Sequence, residues 1–179
     1  MSNYLFKSIR LGFRDWKEAD IEKMATLNSD SEVMRFFPST QSFEVTKKFI
    51  SRMKKQYTEK GYCYFAVDRL EDVEFIGFIG LSEPIYEADF TPCVDIGWRL
   101  ARKFWGMGYA TEGAKRCLSY GFDQLNLEKL VSTAPVLNKP SIQVMKKIGM
   151  TKVKYFEHPL LTDNHRLKDC VLYEINRSY

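Results

Sequence analysis

The segment from Val94 to Glu112 constrains the fold more than any other part of this 179-residue chain. An apolar run predicts a strand over Cys93–Leu100, and a basic pair of residues follows it. The glycines of Gly106-Met107-Gly108 then let the backbone approach a ligand closely, and a long helix is predicted to begin directly afterwards. Free amides and the positive end of a helix dipole at such a turn form an anion site suited to a phosphate or pyrophosphate.

Two nucleotide-binding motifs fail at specific positions of this turn. A dinucleotide-binding motif needs Gly or Ala three residues after Gly108, where Thr111 stands. A P-loop needs Lys after its second glycine, but Ala114 follows Gly113. A tight strand-to-helix turn that binds no ligand remains the plainer alternative.

Hydrophobic periodicity predicts alternating strands and helices along the chain, without an internal repeat. Strands are predicted over Ser8–Phe13, Tyr62–Val67, Phe75–Leu81, Cys93–Leu100, Lys129–Ala134, Lys152–Glu157 and Asp169–Ile175. Helices are predicted after a capping box at Asp15–Glu18, from Ser42 to about Lys60, over Tyr109–Leu125 and over Pro140–Ile148. This order predicts an α+β or α/β domain built on a mixed sheet.

Composition excludes several classes of protein. The hydrophobic fraction of 45% is that of a chain with a real core. The net charge of +4 is too small to argue for nucleic-acid binding, and no apolar run is long enough to cross a bilayer. The N-terminal residues lack the basic and apolar regions of a secretory signal. We therefore expect a soluble cytoplasmic protein that binds neither nucleic acid nor a membrane.

The cysteines and histidines predict no metal site. The two histidines, His158 and His165, lack ligand-like spacing. The four cysteines lack C-x-x-C spacing and have apolar or aromatic neighbours, which is typical of buried, reduced thiols in a cytosolic protein: Cys63, Cys93, Cys117 and Cys170.

Three segments, taken in order, resemble the GCN5-related N-acetyltransferase (GNAT) family. Lys103-x-x-Gly106-x-Gly108 is similar to the family's Gln/Arg-x-x-Gly-x-Gly/Ala loop, with Lys in the first position. Trp105–Glu112 is close to the W-G-x-G-Y-A-T-E form of the ribosomal-protein N-acetyltransferase (RimJ/RimL-like) branch. Asn138–Met150 resembles that branch's N-x-x-S-x-x-V-x-x-K-x-G-F segment, and Asp169–Tyr173 resembles its closing strand.

The resemblance implies the GNAT fold, in a single N-acetyltransferase domain over residues 1–179. We expect a mixed, mostly antiparallel sheet of about seven strands, flanked by about four helices. The central parallel strands, Cys93–Leu100 and Lys129–Ala134, would splay apart and hold acetyl-CoA between them.

The resemblance also implies which residues bind this cosubstrate. Backbone groups of Trp98 and Leu100 would pair with pantetheine as an added strand does. Asn138 would hydrogen-bond pantetheine or an ordered water, and Thr111 would add a hydroxyl near the pyrophosphate. The pyrophosphate itself would be held by the amides of the turn: Lys103, Phe104, Trp105, Gly106, Met107, Gly108 and Tyr109.

The implied chemistry is direct transfer of the acetyl group to a primary amine that attacks the thioester in a ternary complex. Ser141 is the candidate that protonates the departing thiolate and that also contacts the cosubstrate, because many relatives in this branch carry Ser there. A helix cap is the alternative role of Ser141. Many acetyltransferases use a tyrosine seven residues after the asparagine, but Met145 stands there and excludes a tyrosine acid at that site.

The general base is open to two candidates. Some family members place Glu five residues before the asparagine, where this chain has Thr133. Asp95 and Glu83 lie on or beside strands that border the acceptor side, and either carboxylate could take the proton of the amine. The alternative for Asp95 is a solvated residue at a strand edge.

The acceptor and the partners are the least specified features. Four acids and no Lys or Arg lie between Glu83 and Asp95, which favours a cationic acceptor such as a protein N-terminus or a polyamine-like amine. A solvated loop is the alternative explanation. A catalytically weak or inactive acetyl-CoA-binding or sensing module is the alternative function, and the resemblance allows a homodimer.

Overall fold

The computed structural model describes residues 4–178; residues 1–3 and 179, the ends of the predicted domain, lie outside the described residues. The described chain contains four α-helices: α1 (Asp20–Ser29), α2 (Phe43–Lys60), α3 (Tyr109–Ser119) and α4 (Lys139–Lys147). It contains eight strands: β1 (Phe6–Lys7), β2 (Leu11–Arg14), β3 (Tyr64–Arg69), β4 (Glu74–Ser82), β5 (Asp95–Leu100), β6 (Lys129–Pro135), β7 (Thr151–Glu157) and β8 (Asp169–Asn176). A short 3₁₀ turn follows β5, and a π-helical turn follows α3: Arg102–Phe104 and Tyr120–Gln124.

All eight strands of the described chain form one sheet, in the order β1-β2-β3-β4-β5-β6-β8-β7. The neighbours β5 and β6 are parallel, and the other neighbouring pairs are antiparallel. This agrees with the expected mixed, mostly antiparallel sheet and its parallel centre. None of the helices within residues 4–178 has the length and apolar character that a membrane crossing requires.

The first predicted strand is wrong in its N-terminal half. Phe6 pairs with Phe13, so that two short strands replace the single predicted strand over Ser8–Phe13. The chain reverses between them, where the amide of Ser8 donates to the carbonyl of Leu11 at 2.9 Å. Ile9 falls in this turn and is 92% exposed, although its spacing from Leu11 predicted a buried position.

The predicted capping box at Asp15–Glu18 does not form. Helix α1 begins at Asp20, after an N-cap residue, Ala19, that makes no side-chain cap. The carboxylate of Asp15 instead accepts a hydrogen bond from the amide of Trp16 at 2.8 Å. Asp20, the first residue of the helix, binds the buried guanidinium of Arg14, with Nη1 to Oδ2 at 2.6 Å.

The helices cover the two faces of the sheet. Helix α3 packs so closely on one face that a Cβ atom at Gly113 would lie 2.3 Å from Cδ1 of Ile79. Ile79 is in register with Trp98, so the even-numbered residues of β5 lie on the α3 face. The odd-numbered residues of β5 lie on the other face, under α1 and α2: Asp95, Gly97 and Arg99.

Candidate active site

The two parallel strands separate directly after they meet. Their register contains one pair, Asp95 with Val131, and the amide of Val131 donates to the carbonyl of Val94 at 3.0 Å. The hydroxyl of Ser132 then donates to the carbonyl of Ile96 at 2.9 Å, where a parallel ladder would use a backbone amide. Beyond this point the backbones of β5 and β6 diverge and leave a gap in the middle of the sheet.

Alternation along β5 decides which backbone groups face this gap. The amide of Ala101 donates to the carbonyl of Ile76 at 2.9 Å, so Ala101 and every second residue before it bond toward β4. The backbone groups of Trp98 and Leu100 therefore face the gap. The carbonyl of Leu100 accepts a hydrogen bond from the indole Nε1 of Trp105 at 2.8 Å. Among residues 4–178, no hydrogen bond toward β6 is recorded for the N–H and C=O of Trp98 or for the N–H of Leu100, which leaves them for a ligand that enters as an extra strand.

The turn between β5 and α3 presents a run of free amides. Gly106 and Gly108 have φ angles of 74° and 80°, in the region that favours glycine. Within residues 4–178, no hydrogen bond is recorded from the six amides of residues 106–111, and the first bonded amide is that of Glu112, to the carbonyl of Gly108 at 3.0 Å. A Cβ atom at Gly106 would meet no atom within 4 Å, so the space in front of the turn is open. The turn fits an anion such as a pyrophosphate.

Arg10 adds positive charge beside the turn and was not found from the sequence. Its Nη1 donates to the carbonyl of Met107 at 3.1 Å, and its Nε donates to Oε2 of Glu112 at 2.7 Å. Its guanidinium lies 4.5 Å from the centre of the Tyr109 ring. These contacts join residues about a hundred positions apart, and no local pattern marks them.

The side chains of the predicted loop have varied surroundings. Lys103 forms an ion pair with Glu74, at the start of β4. Phe104 is buried and packs edge-on against Tyr109, with 6.3 Å between the ring centres, so its side chain belongs to the core. The hydroxyl of Thr111 makes no recorded hydrogen bond among the described residues. Two large side chains are exposed: Trp105 and Met107.

Asn138 and Ser141 lie at the start of α4, beside the end of β6. The Oδ1 of Asn138 accepts a hydrogen bond from the amide of Ser141 at 3.2 Å, so Asn138 is the N-cap of the helix. The cap is therefore not the side chain of Ser141, and the hydroxyl of Ser141 has no recorded hydrogen bond within residues 4–178. That hydroxyl remains free to donate a proton to a ligand.

Asp95 is not a solvated residue at a strand edge. The hydroxyl of Tyr64 donates to its Oδ2 at 2.7 Å, and its Oδ1 is buried without a hydrogen-bond partner. Burial raises the pKa of the Asp95 carboxyl to about 7, although the Tyr64 hydrogen bond opposes the shift. A carboxyl group of this pKa can accept and release a proton at neutral pH.

Glu83 has a different environment from Asp95. Its Oε1 accepts hydrogen bonds from Lys60 at 2.5 Å and from the hydroxyl of Tyr62 at 2.8 Å. The Lys60 ammonium lowers the pKa of Glu83, and the side chain is 39% exposed. This carboxylate is a weak base at neutral pH and is already bound to a cation.

The acidic loop before β5 is partly neutralised in space. Asp89 forms an ion pair with Lys154 of β7, as Glu83 does with Lys60. Tyr86 from the same loop lies against Thr133 and packs at a tilt against His158, with 4.4 Å between the ring centres. Burial raises the pKa of Tyr86 to about 12. The structure thus brings a phenol to the gap that sequence analysis did not single out.

The described cysteines are free thiols. Cys93 is partly buried, and three are buried as expected: Cys63, Cys117 and Cys170. No group of three or more His, Cys, Asp or Glu side chains that could hold a metal ion occurs within residues 4–178.

Comparison with known proteins agrees with this geometry. A sequence profile described as an acetyltransferase (GNAT) domain matches residues 10–151. An uncharacterized N-acetyltransferase, YnaD, of Bacillus subtilis (strain 168) is 32% identical over 149 residues, which cover 83% of each chain.

Solved structures extend the comparison. An acetyltransferase of the GNAT family from Bacillus anthracis is 28% identical, with a TM-score of 0.79, over 95% of this chain and 96% of that chain. Spermidine N-acetyltransferase from Vibrio cholerae, in complex with CoA and spermine, is 21% identical with a TM-score of 0.73, over 93% of this chain and 95% of that chain. The latter likeness concerns the fold alone. The splayed strands, the turn of free amides and the profile match lead to one conclusion: this chain belongs to the GNAT acetyltransferase family.

Proposed function

We propose that the protein is an N-acetyltransferase that transfers the acetyl group of acetyl-CoA to a primary amine by direct attack in a ternary complex. The observation that carries this proposal is the run of free amides in residues 106–111 next to the gap between β5 and β6. An anion-binding turn and an unpaired strand edge in one continuous surface match a ligand with a pyrophosphate and an amide-bearing arm.

Different residues are proposed to bind the pyrophosphate and the pantetheine arm of acetyl-CoA. The amides of the turn hold the pyrophosphate, and Arg10, which is paired with Glu112, borders them. The free backbone groups of Trp98 and Leu100 pair with the pantetheine arm as a strand would. The side-chain amide nitrogen of Asn138, whose oxygen caps α4, is left to donate to the ligand or to a water.

Asp95 is the proposed general base, and Glu83 is the weaker candidate. A base that removes a proton from an ammonium near neutral pH works best with a pKa near 7, which Asp95 has and Glu83 lacks. Ser141 is the proposed acid, because its hydroxyl is free at the start of α4. The thioester supplies the activated acetyl group; the chain supplies the orientation of the amine and these two proton transfers.

Thermal melting is the first test of the cosubstrate. At a concentration of about 100 times Kd, acetyl-CoA should stabilise the protein by about 2.7 kcal/mol, and plain ATP should not. Gly106→Ala strains a left-handed position in the turn and should reduce this shift. Gly149→Ala is the matched control, since Gly149 has a φ of 90° at the far end of α4. An absent shift with acetyl-CoA, or equal effects of the two variants on it, would contradict the proposed cosubstrate site.

Release of the coenzyme A thiol with a panel of primary amines separates the enzyme from the alternative. A catalytically weak or inactive acetyl-CoA-binding module would show the melting shift with no turnover on any amine. The buried carboxyl of Asp95, with its near-neutral pKa, favours the enzyme.

The finer assignments follow the sequence motifs. The form of Trp105–Glu112 supports the RimJ/RimL-like branch, and with it a protein N-terminal amine or a small-molecule amine as acceptor. Four free cysteines support a reducing, cytoplasmic environment. A homodimer is part of the proposal and is tested by the mass of the purified protein in solution.

A further inference from the structure

Arg99 carries a charge that no carboxylate of the described chain neutralises. It lies on β5 under the loop between α1 and α2, and no ion pair to it occurs within residues 4–178. Its Nη1 donates to Oδ1 of Asn28 at 2.7 Å and to Oε1 of Gln41 at 3.5 Å. Its Nε is buried without a partner, and no hydrogen bond is recorded from Nη2. Burial lowers the pKa of Arg99 to about 10.

Arg14, which is more deeply buried than Arg99, is neutralised by carboxylates. Arg14 has two carboxylate partners, Asp20 and Asp68, each bound through two nitrogen–oxygen contacts of 2.6 to 2.9 Å. A buried guanidinium without such partners is costly, because it has lost its water and gained no counter-charge. Arg99 therefore lacks the negative counter-charge that Arg14 has, and an anionic ligand would supply it.

The guanidinium of Arg99 is also held in place. The rings of Phe37 and Phe78 lie 4.1 and 5.4 Å from its central carbon. Asn28 is fully buried, and its Nδ2 donates to the hydroxyl of Thr46 at 2.9 Å, which orients its Oδ1 toward Arg99. With Nη1 engaged, the remaining edge of the fork is Nε and Nη2, which binds both oxygens of a carboxylate in parallel.

Arg99 is on the same side of the sheet as the proposed general base. Asp95 and Arg99 are on the same face of β5, roughly 13 Å apart along the strand at about 3.3 Å per residue. Between them, the ring of Tyr64 lies over Gly97, where a Cβ atom would be 3.0 Å from the ring. An acceptor that reaches both side chains must therefore extend past Tyr64.

We propose that the free edge of Arg99 binds a carboxylate of the acceptor, so that the substrate is a primary amine that carries an acid many bonds away, such as a short peptide. This inference rests on the proposed function, because it places the amine at Asp95. It differs from the cationic acceptor that the acidic loop suggested, since Glu83 and Asp89 of that loop are bound by lysines.

The test compares matched acceptors on the purified protein. Amino acids of increasing chain length and acidic dipeptides are each assayed beside their amides, with aminophosphonates and spermidine as further arms, by release of the coenzyme A thiol. The best acid should exceed its amide at least tenfold in kcat/KM. Equal rates for acid and amide, or a preference for spermidine, would overturn the inference and leave the acetyltransferase activity standing. A preference for the phosphonate would overturn the choice of a carboxylate.

Substitutions of Arg99 test whether this residue causes the preference for an acid over its amide. Arg99→Gln should raise KM for the acid about 10- to 100-fold, remove the difference between acid and amide, and leave KM for acetyl-CoA unchanged. Arg99→Lys keeps the charge without the fork and should retain part of the preference. Lys48→Gln removes one positive charge from the exposed surface of α2 and should keep the preference. An acid preference that survives in Arg99→Gln contradicts the role of Arg99.

A binding readout separates this inference from the proposed function. Melting curves are recorded with coenzyme A and the same acids and amides, so that no turnover is needed. Acids that stabilise the wild type but not Arg99→Gln would support the carboxylate site even if no amine in the panel were acetylated. Acids that stabilise neither protein more than their amides do would overturn it.

Discussion

Tyr64 donates its hydrogen bond to Oδ2 of Asp95 and leaves the other carboxylate oxygen buried without a partner. The tyrosine is itself fixed between aromatic rings, since its ring stacks on Phe78 with 4.9 Å between the centres. The result is a carboxyl group of fixed orientation with one oxygen free to take a proton. We expect this pair to determine the pH dependence of both activity and stability.

The activity should follow the ionisation of Asp95. Expressed per concentration of neutral amine, kcat/KM should rise about tenfold per pH unit below pH 7 and level off above it, because only the ionised carboxyl accepts a proton. Asp95→Asn should lower kcat/KM by about 10²- to 10⁴-fold and remove this dependence. Glu83→Gln serves as the control and should keep it. An Asp95→Asn variant with the wild-type profile would exclude Asp95 as the base.

The same carboxyl should lower stability at high pH. Its pKa in the folded protein, about 7, is above the usual value of 3.8, so the folded state binds the extra proton between these values. The contribution of Asp95 to the free energy of unfolding therefore falls as the pH rises from about 4 to about 7. Asp95→Asn should melt higher than the wild type at pH 8 and at a similar temperature near pH 4. Equal melting differences at the two pH values would contradict the raised pKa.

Substitution of Ser141 should lower kcat, whereas substitution of Asn138 should lower the stability of the protein. Ser141→Ala removes a hydroxyl that bonds to no described residue, so kcat should fall while the melting temperature and the acetyl-CoA shift stay near those of the wild type. Asn138→Ala should lose about 1 kcal/mol of stability, because it removes the cap of α4. Unchanged kcat in Ser141→Ala would exclude Ser141 as the acid.

Loss of charge at Arg14 should destabilise the protein far more than loss of charge at Arg99. Arg14→Gln should destabilise the protein by about 3–5 kcal/mol, since it leaves Asp20 and Asp68 buried without a counter-charge. Arg99→Gln should cost about 1 kcal/mol or less, because the uncompensated charge leaves with the side chain. Urea unfolding of both variants measures the difference. A large loss in Arg99→Gln would indicate that the guanidinium is a structural element.

Local patterns were sufficient for the turn and for the order of elements. The turn between strand and helix could be predicted from its two glycines, Gly106 and Gly108. The start of α4 could be predicted from Asn138, a residue type that favours the N-cap position, three residues before Ser141. Periodicity failed at Ile9, because a two-residue spacing does not reveal that the chain reverses within it. Each of these successes and failures concerns residues close together in the sequence.

The hydrogen-bonded and ionic pairs of the site could not be predicted from local sequence patterns. The contact of Tyr64 with Asp95 depends on the register of three neighbouring strands, which a single sequence does not specify. Arg10 and Glu112 meet only because β2 and α3 pack together. The environment of Asp95, and with it the choice between a base and a solvated carboxylate, required the folded structure.

The single register pair between β5 and β6 divides the sheet into two panels, β1–β5 and β6–β8–β7. The proposed acetyl-CoA, bound in the gap, would hydrogen-bond to both panels and so join the two halves of the sheet. Between the two panels, the described strands β5 and β6 share one register pair, Asp95 with Val131. Hydrogen exchange should therefore slow along both facing strands when acetyl-CoA binds, including at amides that never touch it.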